Sequence, residues 1–144
     1  MTTVSGSAEE TKKLAKTFLE RLAVETKSGP TIVGLVGDLG AGKTTFMQGV
    51  GEFLGVREAL VSPTFVIQKN YEVAPGFPWK RLVHIDAYRI EDQQELKAIA
   101  FEGYARDASN IIFIEWPMNM GDDFQPDYKI EFKHVNESER EIKI

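Results

Sequence analysis

Apolar positions along the chain change period several times, and each change marks an element. Leu14, Ala15, Phe18, Leu19 and Leu22 recur at helical spacing behind a capping box of Ser7 and Glu10. An amphipathic helix is therefore predicted from Ser7 until Ser28-Gly29-Pro30 stops it. The run 31-TIVGLV-36 is short, branched and apolar, and reads as a buried strand. A glycine-rich loop follows, then a helix from about Gly42 to Leu54 closed by Gly55. Beyond it the period falls to two. Strands are predicted at 65–73 and 80–86, joined as a hairpin by 74-APGFP-78. Asp92 with Glu95 starts a short helix through Ala100, 110–115 is a buried strand, and 128–135 alternates. Residues 140–144 return beside it after a turn at 136–138. Residues 1–7 are polar and carry no element in this reading. Strands and helices in this order predict one α/β domain over 1–144, its sheet mixed rather than wholly parallel.

A chain of 144 residues is long enough to bury a real core without staples. With no cysteine, disulfides, thiolate metal sites and a cysteine nucleophile are excluded. No apolar run approaches a membrane span or a secretory core, so a cytoplasmic location with no membrane association is expected. Acids exceed bases by 22 to 17, a net charge of −5. Proteins that hold nucleic acid on their own surface normally present a basic face, so strong direct RNA or DNA binding is not expected.

The stretch 37-GDLGAGKTTF-46 carries the chemistry. Gly37, Gly42, Lys43 and Thr44 complete the phosphate-loop pattern, which arises by accident in about one chain of this length in 200. Residues Gly37, Asp38, Leu39, Gly40, Ala41 and Gly42 would turn successive N–H groups toward one anion. The helix behind them adds its positive end. Lys43 would reach terminal phosphate oxygens and Thr44 would offer its hydroxyl to Mg²⁺, with Thr45 alongside.

Phosphoryl chemistry needs a further carboxylate near the metal and a group to orient the attacking oxygen. The apolar strands 82-LVHID-86 and 111-IIFIE-115 end in Asp86 and Glu115, either of which would sit at a sheet edge. Glu115 is the stronger metal candidate because 111-IIFI-114 reads as a central strand; the split between the two carboxylates stays open. Thr64 in 62-SPTF-65 is a candidate γ-phosphate sensor or equally a turn cap. His84 and His134 lack metal-ligand spacing and are read as structural, and a tryptophan before a proline, as at Trp116, is more often packing than chemistry.

No D-x-x-G or N/T-K-x-D occurs, which disfavours a regulatory GTPase, and no LSGGQ marks a transporter ATPase. A small-molecule kinase would add an acceptor pocket and an arginine-bearing lid, whereas the arginines here are scattered. A nucleotide-sensing scaffold would bind without hydrolysis. The loop, 62-SPTF-65, 84-HIDAYRI-90 and 113-FIEWP-117 together resemble the bacterial TsaE (YjeE) family, over essentially the whole chain. Ala87 stands where most members carry leucine. The resemblance implies a three-layer P-loop α/β domain with a mixed parallel and antiparallel sheet. It implies ATP and Mg²⁺ as ligands, and work with TsaD-like and TsaB-like proteins in making tRNA threonylcarbamoyladenosine. Lys43, Asp86 and Glu115 would then be catalytic. Thr44, Glu115 and Asp86 would serve the metal, Thr45 and Thr64 the nucleotide, and Trp116 matches the family's tryptophan beside the carboxylates.

Overall fold

The computed structural model describes residues 1–25, 28–38, 40–60, 68–90 and 101–144. Among them the chain runs β1 (Thr2–Ser5), α1 (Ala8–Ala23), β2 (Thr31–Val36), α2 (Lys43–Phe53), β3 (Gln68–Glu72) and β4 (Arg81–Asp86). It continues through α3 (Phe101–Tyr104), β5 (Asn110–Glu115), a 3-10 turn (Pro117–Met120), β6 (Tyr128–His134) and β7 (Arg140–Lys143). The expected helix at 92–100, the start of the expected strand at 65–73, Leu39 and Thr64 lie outside the described residues.

The strands form one sheet in the order β1-β7-β6-β2-β5-β4-β3. β2 is parallel to both β5 and β6, and β4 is parallel to β5. The hairpin β3–β4, the β6–β7 hairpin and the β1–β7 pair are antiparallel. The sheet is mixed, as the sequence predicts. Its two central strands explain the compositional pattern: β5 is buried at every position and β2 at four of six, so neither alternates.

Two apolar layers cover the sheet. Under α1 and α2, Phe18, Leu19, Leu35, Phe46, Met47, Ile111 and Phe113 make the larger core. Phe46 meets Phe132 edge-on at 5.5 Å, locking α2 to β6. On the opposite face Val83, Ile85, Ile112, Ile114 and Met120 pack together. Ala87 is fully buried there. No helix of the described residues is long and apolar enough to cross a membrane.

Local signals account for the helix ends. Ser7 Oγ accepts from Glu10 N at 3.1 Å, and Glu10 returns a carboxylate oxygen to Gly6 N. α1 stops at Ala23, before Ser28, because its last turn tightens: Glu25 N donates to Leu22 O at 3.2 Å. α2 ends with Val56 N donating to Gly51 O and Gly55 N to Glu52 O, with Gly55 at φ +69°. The strand β1 departs from the sequence reading, which gives 1–7 no element. Four residues with one apolar side chain show no periodicity, and β1 is held by pairing with β7 at the other end of the chain, with Met1 N reaching Ile144 O across 143 positions at 2.9 Å.

Candidate functional site

β2 ends in the core and hands the chain to the glycine-rich loop. Gly37 lies so close to β6 that a Cβ there would stand 2.6 Å from the Phe132 carbonyl oxygen. Ala41 N closes a turn onto Asp38 O at 3.1 Å. Gly42, at φ +106°, caps α2 without any side-chain bond, and the first turn of α2 contains no acidic residue. The leading N–H groups and the positive end of the helix dipole are therefore left uncompensated by side chains.

Lys43 is 5% exposed, an uncommon burial for an ammonium. Its Nζ donates to Gly37 O at 2.6 Å and stands 4.6 Å over the Trp116 ring, 3.9 Å from Glu115 Oε1. Burial pulls its pKa below the ordinary lysine value, opposed by the nearby Glu115, Asp86 and Asp38 carboxylates.

The parallel sheet brings the two carboxylates to the loop. Glu115 ends β5 in register with Leu35 of β2 and with Asp86 of β4, so the acids stand side by side at one sheet edge. Glu115 is 6% and Asp86 9% exposed. Burial lifts the Asp86 carboxyl above its ordinary range, against the Tyr88 N–H that donates to Oδ1 at 3.0 Å. Glu115 belongs to the strand beside β2, and its Oε1 stands 3.9 Å from Lys43 Nζ.

His84, read from the sequence as structural, is buried with a polar partner. It shares a face of β4 with Asp86, and its Nε2 lies 2.9 Å from Glu115 Oε2, where both side chains are buried. His134 is exposed on β6. Trp116 is also more than packing. It holds φ +59°, the sole positive φ of a non-glycine residue among the described residues. Its N–H donates to Leu35 O at 3.2 Å, its carbonyl accepts from Asn119 N at 3.0 Å, and Tyr88 lies against its ring at 5.1 Å. Strain of this kind concentrates where geometry serves function.

These groups open on a cavity of about 600 Å³. Gly40, Gly42, Lys43, Thr44, Thr45, Asp86 and Glu115 line one side with Trp116. Gly37, Asp38 and Ala41 shape the loop behind it. The lining also includes residues that the sequence reading does not assign to a site: Ser5 to Ala8 at the β1–α1 turn, and Ser138 and Arg140 from the β6–β7 hairpin. Ser5 Oγ donates to Ser7 O, and Thr11 Oγ1 lies 2.7 Å from Ser5 Oγ, fixing that turn. Arg140 Nε donates to Gly40 O at 2.9 Å, while Nη1 reaches Asn136 O at 2.7 Å and Glu139 O at 2.9 Å. One guanidinium thus ties the hairpin to the glycine loop. The period-two step from Asp86 back to His84 could have revealed the histidine; nothing local marks Arg140.

Comparisons with known proteins place the chain in a family. A family model described as "Threonylcarbamoyl adenosine biosynthesis protein TsaE" matches residues 5–142. The chain is 37% identical over 137 residues to the Bacillus subtilis (strain 168) protein named tRNA threonylcarbamoyladenosine biosynthesis protein TsaE, covering 93% of this chain and 78% of that one. To the Streptomyces coelicolor protein of the same name it is 42% identical over 98 residues, which cover 67% of this chain and 62% of that protein. The crystal structure of Bacillus subtilis YdiB superposes with a TM-score of 0.67 at 30% identity, covering 99% of this chain and 82% of that one. Sequence and fold agree over nearly the full length: the chain belongs to the TsaE family.

Proposed function

We propose that this chain binds ATP with Mg²⁺ in the 600 Å³ cavity and hydrolyses it in support of tRNA threonylcarbamoyladenosine formation, together with TsaD-like and TsaB-like proteins. The carrying observation is the convergence of an uncapped α2 N-terminus, a buried ammonium and two buried carboxylates on one cavity. Each alone has a structural explanation; together they supply the donors, the positive field and the metal-side acids that phosphoryl transfer uses.

Lys43 has three N–H donors. One is given to Gly37 O, and the others remain for phosphate oxygens beside the amides that open α2. Among the described residues no three His, Asp or Glu side chains form a ready-made metal cluster. The exposed Thr44 hydroxyl with one carboxylate fits Mg²⁺, which takes one or two protein oxygens and completes its shell from phosphate and water. Bound there, Mg²⁺ would neutralise charge developing on the phosphates. Glu115, beside Lys43 and held by His84, suits the metal side. Asp86, with its carboxyl raised by burial, suits orienting the water and taking its proton. The base and ribose fit the part of the cavity lined by the β1–α1 turn and the Ser138–Arg140 hairpin end.

The net charge of −5 is consistent with the partners, rather than this chain, holding the tRNA. Among the described residues the arginines lining the cavity are Arg89 and Arg140, and Arg140 is held by the Gly40, Asn136 and Glu139 carbonyls; turnover alone should be slow and should rise when partners dock. The test is reconstitution with the TsaD-like and TsaB-like proteins of the same organism, with this chain present or omitted. Phosphate release without any added acceptor, and modified tRNA accumulating over many turnovers only when the chain is present, are expected. Equal modification without it, or ATP consumption that requires a small-molecule acceptor, would overturn the reading.

A further inference from the structure

We infer that His84 is a positioning residue: its imidazole donates from Nε2 to Glu115 Oε2 and so fixes which carboxylate oxygen Glu115 turns toward the cavity. The inference rests on the ATPase reading for its consequence, but its geometry stands by itself.

Along the face of the sheet under α1 and α2, β4 presents Leu82, His84 and Asp86, while β5 presents Ile111, Phe113 and Glu115. Leu82, Ile111 and Phe113 belong to the core. His84 stands where the core ends, 2% exposed, at a position a leucine would fill without a polar cost. A buried imidazole there needs a reason beyond packing, and the 2.9 Å bond to Glu115 supplies it.

The two oxygens of Glu115 are thereby divided. Oε2 is engaged by His84, and Oε1 faces Lys43 Nζ at 3.9 Å. With Nε2 as the donor, Glu115 Oε2 is the acceptor of the shared bond. His84 Nδ1 has no hydrogen-bond partner among the described residues. That is tolerable for a bare lone pair and costly for an N–H, which selects the same tautomer. Glu115 has three side-chain torsions to lose, and a fixed donor on one oxygen removes most of that freedom before any metal or water arrives. Such outer partners of a metal-side carboxylate change affinity or rate by about 10–100-fold when removed.

The test uses the full chain. His84→Leu removes the donor and keeps an apolar side chain; His84→Gln can return an N–H near the Nε2 position. His84→Leu should lower kcat for ATP by about 10–100-fold and raise the Mg²⁺ concentration needed for half activity, with KM for ATP changed less than about threefold. His84→Gln should recover most of the loss. An unchanged kcat in His84→Leu, or equal losses in the Leu and Gln variants while both melt like wild type, overturns the inference. A second readout is independent of turnover. The chain has only two histidines, so ¹⁵N spectra of the imidazoles resolve each. His84 should be held as the Nε2–H tautomer in wild type and lose that state in Glu115→Ala. An Nδ1–H or averaged ring overturns the inference. A wild-type chain that never hydrolyses ATP would overturn the ATPase reading instead, and the imidazole state would still decide the role of His84.

Discussion

Replacing Gly37 by alanine separates sterics from backbone preference in the loop. A Cβ at Gly37 would lie 2.6 Å from Phe132 O and 2.9 Å from Phe132 Cβ, and the first contact is backbone that cannot rotate away. Gly40 is the internal control: its φ is +79°, yet a Cβ there would meet nothing within 4 Å. Gly40→Ala should cost only the left-handed backbone penalty, about 1–2 kcal/mol. Gly37→Ala adds overpacking of about 1–3 kcal/mol, because β2 or β6 must shift. The sum, about 2–5 kcal/mol, is a large share of the roughly 5–15 kcal/mol that stabilises a domain. At about 3–4 °C per kcal/mol for this size, Gly37→Ala should melt about 6–20 °C below wild type and Gly40→Ala about 3–8 °C below. Urea titration and calorimetric melting of both variants measure the gap. A Gly37→Ala chain as stable as Gly40→Ala would refute the claim that β6 is pressed against the loop.

Lys43→Ala should abolish measurable ATP binding, a loss of at least about 100-fold, read by titration of labelled nucleotide. It should not destabilise the fold strongly, because burial already pulls the lysine below its ordinary pKa. Asp86 is raised by burial, so its neutral form favours the folded state; that contribution is present below the ordinary carboxyl value of 3.8 and lost as pH rises through the raised one. Asp86→Asn should therefore melt higher than wild type at neutral pH while losing hydrolysis. In wild type, turnover should fall on acidification with a midpoint above the ordinary aspartate range, followed by phosphate release across pH. Arg140→Lys should weaken ATP binding by about tenfold, since an ammonium cannot reach Gly40 O and the Asn136 and Glu139 carbonyls as one planar fork does; competition binding reads the change.

Much of this architecture is legible in local pattern. The capping box at Ser7, the loop glycines and the apolar strands ending in acids each carry their signal within a few residues. That Asp86 and Glu115 each close an apolar strand is legible in the same way, whereas their standing side by side depends on the parallel register of β4 on β5. What was not legible depends on distant pairing. β1 exists because Thr2 to Ser5 register with the last strand, and Ser5 then stands at the cavity. Arg140 acts on Gly40 across 100 positions of chain, which no window detects. His84 was hidden differently. Its strand position looked like core, and only the lateral register of β4 on β5 brings its ring to Glu115. Trp116 likewise gains its strained turn from the bond to Leu35 on a neighbouring strand.

Isothermal titration of the purified chain with ATP and Mg²⁺, beside Lys43→Ala, tests the central claim most directly. Saturable, one-to-one heat that depends on the lysine, and that GTP does not reproduce at the same concentration, is the predicted result. No heat from wild type, or the same binding curve from Lys43→Ala, would contradict it.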